Sequence, residues 1–208
     1  MKKFVVIFML LCSVIYAQNG LGDYALSFDG TDDYVSCGND ASLQITGNIT
    51  VEAWVNLSST AATYKSVVSK LVHTGAREGY EVIIYDDNTV HFHAGNNDSD
   101  WDHAGSAQAL AADKWYHIAG TYDGTTIKVY INGKLEGTTA FGNGITDSDS
   151  ELRLGARSNG TLRYNGYLDE VRVWNDLRTQ DEILENMYKD VSGQANLVTY
   201  YKMSDGSG

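Results

Sequence analysis

Between Trp115 and Thr138 the sequence reads WYHIAGTYDGTTIKVYINGKLEGT, one run of alternating residues cut twice by dipeptides that favour tight turns. Asp123-Gly124 and Asn132-Gly133 accept positive φ at both central positions of a type I′ turn, whose twist matches the flanking strands. The spacing predicts a three-stranded meander with Ile127, Val129 and Ile131 on one face and Lys128 and Tyr130 on the other. One face is packed and one is wet, so a second layer must cover the apolar side.

The rest of the chain repeats the pattern. Short alternating segments at 24–28, 34–37, 49–57, 66–72, 80–85, 89–94, 152–156 and 167–174 are separated by turns rich in Gly, Asn and Asp, in a chain without proline. Asn96 to Asp102 reads as a polar loop. One helix is predicted after Thr179, where Thr179 and Glu182 have capping-box spacing and Ile183, Leu184 and Met187 form an apolar stripe. It is expected to lie against an end of the sandwich. The fold class is therefore all-β, an antiparallel two-sheet sandwich with one short C-terminal helix.

Residues 1–17 read as a secretory signal peptide: Lys2 and Lys3, an apolar run from Phe4 to Leu11, and a small-residue end at Ala17. The run is too short to span a bilayer, and membrane insertion is not expected. Cleavage would remove Cys12 and leave Cys37 unpaired, so stability must come from a core, for which roughly 190 residues suffice. Losing Lys2 and Lys3 takes the formal charge from −12 to −14, which excludes nucleic acid and anionic lipid as natural partners. The chain is expected to be secreted or displayed on a cell surface.

Four segments in order, ALSFDGTDDYVSCG, ITVEAWVN, KWYHIAGTYDGTTIKVYINGKLEG and NGYLDEVRVWNDLRTQDEI, resemble the laminin G-like, concanavalin A-like jelly-roll domains of bacterial secreted and surface proteins. The resemblance covers about Ala25 to Tyr188 and implies a jelly roll over residues 22–190. Residues 191–208 then read as a linker or the start of a truncated following module in a larger modular protein. It also implies a structural calcium held by Asp169 with Asp29 and Asp32, Asp33 being a further candidate. Along 167–173 a count of two puts Asp169 on the same face as Val171 and Val173, where a carboxylate needs a cation, an ion pair or strand-end hydrogen bonds.

Two other groups are candidates for chemistry. Trp101, flanked by Asp100 and Asp102 in a polar loop, is suited to stacking on a sugar ring, with Asn97, Asp100 and Asp102 taking hydroxyl hydrogen bonds. Packing under its own loop is the alternative. His91 and His93 share a strand face, as transition-metal ligands or as exposed strand residues. The paired carboxylate motifs E-x-D-x-E and E-x-D-x-x-E of glycosidases on this fold do not occur. The expected function is a non-catalytic carbohydrate-binding or adhesion module with an extracellular glycan as partner. The alternative is a protein-interaction or spacer domain contacting a surface protein, and a glycoside hydrolase ranks behind both.

Overall fold

The structure, a computed structural model, describes residues 14–15, 24–72, 77–96 and 100–203. In chain order the strands are β1 (Val14–Ile15), β2 (Ala25–Asp29), β3 (Val35–Ser36), β4 (Ile49–Leu57), β5 (Lys65–Leu71), β6 (Gly79–Ile84) and β7 (Thr89–Gly95). They continue as β8 (Trp101–Ala109), β9 (Trp115–Tyr122), β10 (Thr126–Ile131), β11 (Lys134–Ala140), β12 (Arg153–Leu154) and β13 (Asn165–Trp174), then α1 (Gln180–Asn186) and β14 (Leu197–Tyr201). An eight-stranded sheet runs β1-β2-β13-β4-β9-β10-β11 with β14 also on β13, and a six-stranded sheet runs β3-β12-β5-β6-β7-β8. This is the predicted two-sheet jelly-roll sandwich. Most of the signal segment lies outside the described residues; cleavage after Ala17 would remove β1 and leave β2 as the edge.

Period-2 alternation sets the core. Val51, Ala53 and Val55 of β4, Ile118 and Tyr122 of β9 and Ile127, Val129 and Ile131 of β10 face Val82 and Ile84 of β6 and Val90, Phe92 and Ala94 of β7, all buried. Asn132 and Gly133 both have positive φ (51° and 73°), as a type I′ turn requires. The first turn differs from expectation. Positive φ falls on Gly124 alone, while Asp123 Oδ1 accepts the Thr125 and Thr126 amides, so the loop is centred on Gly124-Thr125 as in a II′ turn.

The outer face of the eight-stranded sheet is covered where the meander implied water. Ile183 of α1 packs on Ala119 and Tyr130, and the Met187 carbonyl accepts Trp54 Nε1–H at 2.8 Å. α1 carries the predicted capping box at Thr179 and Glu182, but it lies on this face and not at the end of the sandwich. Beneath it is a polar layer absent from the sequence reading. Glu52 lies 3.3 Å from His117 Nε2 and accepts Trp174 Nε1–H at 2.6 Å, and Arg172 donates to Glu170 at 2.6 Å and to the carbonyls of Asn186 and Lys189. Burial would raise the Glu52 carboxyl, but His117 and Arg172 hold it below its ordinary value.

β2 and β14 lie end to end along one side of β13, β2 reaching Leu168 and β14 starting at Val171. At the junction the register with β4 shifts and Glu170 takes φ 51°, a bulge. The segment read as a linker thus contributes a strand: β14 pairs with β13, and Val198, Tyr201 and Met203 pack against the core.

Candidate functional site

The outward side chains of the six-stranded sheet build the most distinctive surface. With Val90, Phe92 and Ala94 turned inward, His91 and His93 must face outward, and Tyr80 and Val82 leave Glu81 and Ile83 on that same side. β8 pairs Trp101 with Gly95 and His103 with His93, bringing Trp101 and His103 onto this face. A depression of about 290 Å³ results, lined by Tyr64, Arg77, Ile83, Tyr85, His93, Trp101, Arg157 and Leu162.

Behind the lining Glu81 is buried and engaged on both oxygens. Oε1 accepts from Ser66 Oγ (2.8 Å) and Arg157 Nε (3.0 Å), and Oε2 accepts from an Arg157 terminal nitrogen (2.6 Å). This bidentate pair satisfies the buried charge. On the wall, the Tyr85 ring stacks on His91 with centroids 3.5 Å apart and meets Tyr64 edge to face at 4.8 Å, while its hydroxyl shares a hydrogen bond with His93 Nε2 at 3.0 Å. Burial, with Tyr64 beside it, pushes the Tyr85 hydroxyl up to about 12. Burial first lowers all three histidines: with the charge of His103 it brings His91 to about 4, with His103 and Arg157 it takes His93 well below its ordinary value, and with Arg77 it outweighs Asp102 to lower His103.

Trp101 is packed between two partners. The Arg77 guanidinium carbon sits 3.4 Å over the indole centroid, and the His103 ring is stacked at 5.5 Å with an 18° tilt. The residue starts strand β8 and does not ride in a loop. Sequence reasoning missed β8 because AGSAQA lacks β-branched and aromatic residues; pairing with β7 outweighs propensity there.

Asp100 and Asp102 are not brought to the depression. Asp102 follows Trp101 on the opposite side of the strand and accepts the His103 amide at 2.8 Å. Asp100 is exposed and bonded to the Asn143 side chain, and Asn97 lies outside the described residues. Of the site lining, Trp101 and His93 were singled out from the sequence. Glu81 and Ile83 were legible in principle as the odd parity of β6, but Tyr64, Arg77 and Arg157 arrive from loops with no local signature.

The acidic residues expected to hold calcium separate into two places. Asp29, Asp32 and Asp33 gather their carboxylates within 4.8 Å of one another, and among the described residues they are the group of three or more acidic, histidine or cysteine side chains that does so. Asp33 accepts the Asp29 amide and Asp29 accepts the Thr31 amide, leaving oxygens for a cation, so the donor set suits a hard ion. The histidine nitrogens do not converge in this way. Asp169 is elsewhere: Asn165 faces Asp29 across β2 and β13, which places Asp169 about 13 Å further along the strand. The bulge also reverses its parity, so Asp169 sits on the face opposite Val171 and Val173, paired with Trp54, and accepts the Glu170 amide at 2.8 Å.

Comparison with known proteins places this geometry. A 79-residue stretch, 36% of the chain, is 35% identical to pappalysin-1 of Homo sapiens but spans only 5% of that protein. Among solved structures, a Bacteroides ovatus protein assigned as carbohydrate-binding matches with TM-score 0.70 and 22% identity, over 86% of this chain and half of that one. Domain 4 of AbnA, a GH43 extracellular arabinanase from Geobacillus stearothermophilus solved with arabinotriose, matches with TM-score 0.67 and 16% identity, over 84% of this chain and 80% of that one. The binding domain of botulinum neurotoxin serotype G matches with TM-score 0.66 and 13% identity, over 88% of this chain and 46% of that one. At these identities the likeness is one of fold. Residues 29–184 match the profile of a single family, and on that span the chain belongs to the concanavalin A-like lectin/glucanases superfamily.

Proposed function

We propose that this chain is a non-catalytic extracellular module that binds a glycan in the depression on the outer face of its six-stranded sheet. The observation that carries the reading is the gathering of Tyr64, Tyr85 and Trp101 around one concavity of about 290 Å³, a group of ring faces and edges with donors at the wall. Glu81, engaged on both oxygens by Arg157 and Ser66, acts as a structural anchor for that surface, whereas glycoside hydrolysis calls for two carboxyl groups free to act on the bond. Relatives of the same fold that bind sugars support the reading by analogy.

A glycan array probed with the full chain tests it. Binding is expected, and Tyr64→Ala and Trp101→Ala should each weaken it by about tenfold or more. Tyr64→Ala should leave Tm in place, because the ring is 42% exposed. Silence on every glycan would sink the proposal in favour of a protein-contact or spacer domain.

Calcium at the early turn belongs to the same proposal, with Asp29, Asp32 and Asp33 as ligands and Asp169 as an independent structural residue. Calcium a hundredfold above its Kd should raise Tm by about 5–10 °C, and chelation should reverse this. Asp32→Ala should abolish the response while Asp169→Ala keeps it. A melting curve indifferent to chelation would remove calcium from the account.

A further inference from the structure

We propose that the depression recognises the negatively charged group of an acidic sugar, a carboxylate or a sulfate, through the guanidinium of Arg77. The inference rests on the reading of the depression as a glycan site and goes further by naming the ligand class.

The chain carries 27 acidic against 15 basic residues, yet the depression is lined by two guanidiniums, Arg77 and Arg157, and by no carboxylate, the nearest being the buried Glu81 bound to Arg157. Arg157 takes both oxygens of Glu81. His93 stays neutral at neutral pH, since burial and the surrounding cations depress its ionisation. With Arg157 neutralised by Glu81, the lining is left with a net charge of +1 from Arg77 in a protein of −12.

The posture of Arg77 completes the case. Stacking on Trp101 occupies the flat face of the guanidinium and leaves its N–H groups, which lie in the plane, directed away from the indole. Among the described residues no hydrogen bond or ion pair engages that fork. Burial, then the like charge of Arg157, holds Arg77 below its ordinary value, with Tyr85 and Glu81 offsetting this only in part. A planar fork held by an aromatic ring matches carboxylate or sulfate oxygens two at a time. Trp101 accordingly acts by presenting Arg77, and sugar stacking falls to the exposed rim at Tyr64.

Matched polymers test the inference on the native chain by affinity electrophoresis or calorimetry. Polygalacturonate against its fully methyl-esterified form reads the carboxylate arm, and dextran sulfate against dextran reads the sulfate arm. Binding to the charged member of at least one pair should be about tenfold or more tighter than to its uncharged partner. Arg77→Gln and Arg77→Lys should both remove the preference, because lysine keeps the charge but not the fork. Equal binding to both members of each pair, or a preference that survives Arg77→Gln in a folded variant, overturns acidic-sugar recognition while leaving the glycan site standing. Silence on all four polymers overturns it as well, and the glycan array then decides separately whether the site reading survives.

Discussion

His91 shows how one position in this fold converts packing into pH dependence. Its ring lies flat on Tyr85, bonds Thr89 Oγ1 through Nε2 at 2.8 Å, and projects over Gly105, where a side chain would strike it. Burial, then His103, brings its ionisation down to about 4, against 6.5 in an unfolded chain. Between those values the unfolded state binds the extra proton, so stability is present above about pH 6.5 and is lost as pH falls toward 4. His93 and His103, lowered in the same direction, add to the slope. Thermal melts from pH 7 to 4 should show a falling Tm that His91→Gln makes shallower. A Tm flat through that window would mean that the three rings are solvated. The shared face of His91 and His93 was legible from alternation alone, but their burial was not. It depends on His103, which reaches them only because β8 folds back on β7.

Among the elements, β13 carries the largest difference between sequence and structure. Its alternation reads cleanly through Tyr167, Asp169, Val171 and Val173, yet the bulge at Glu170 moves the first two to the other face. No residue type announces that bulge, since glutamate is an ordinary strand residue and the cause is a change of neighbour from β2 to β14. Strands with uninterrupted pairing, such as β4 against β9, were read correctly for the same reason in reverse. α1 was legible because a capping box is local. Its seat was not, because the layer of Glu52, His117, Arg172 and Trp174 beneath it assembles across three strands, with the Lys189 carbonyl from a loop. β14 is expected to matter for stability: it supplies Tyr200 to Glu170 and brings Tyr201 against Cys37, whose thiol burial pushes up to about 12. A chain ended at Asp190 should melt about 10 °C lower than one ended at Met203. Equal melting temperatures would mark β14 as an appendage.

At the scale of the whole molecule, the two sheets divide the work. The eight-stranded sheet turns one face into the core and covers the middle of the other with α1, and so behaves as a scaffold. The six-stranded sheet packs one face into the core, and on the other Glu81, Ile83 and His93 are also buried, with the depression and its arginines and aromatic rings built around them. The jelly roll itself was readable from strand spacing, while the depression was not, because its walls come from β6, β7, β8 and the loops carrying Tyr64, Arg77 and Arg157. Two glycines join the sheets at one side. Gly137 of β11 lies so near the Gly105 carbonyl of β8 that an added methyl carbon would stand 2.0 Å from it. β8 and β11 are the terminal strands of their sheets, so this backbone contact turns two open edges into a seam. Any side chain at residue 137 would pry the seam open, and its first consequence would be strand-to-strand aggregation between molecules, with the depression still intact.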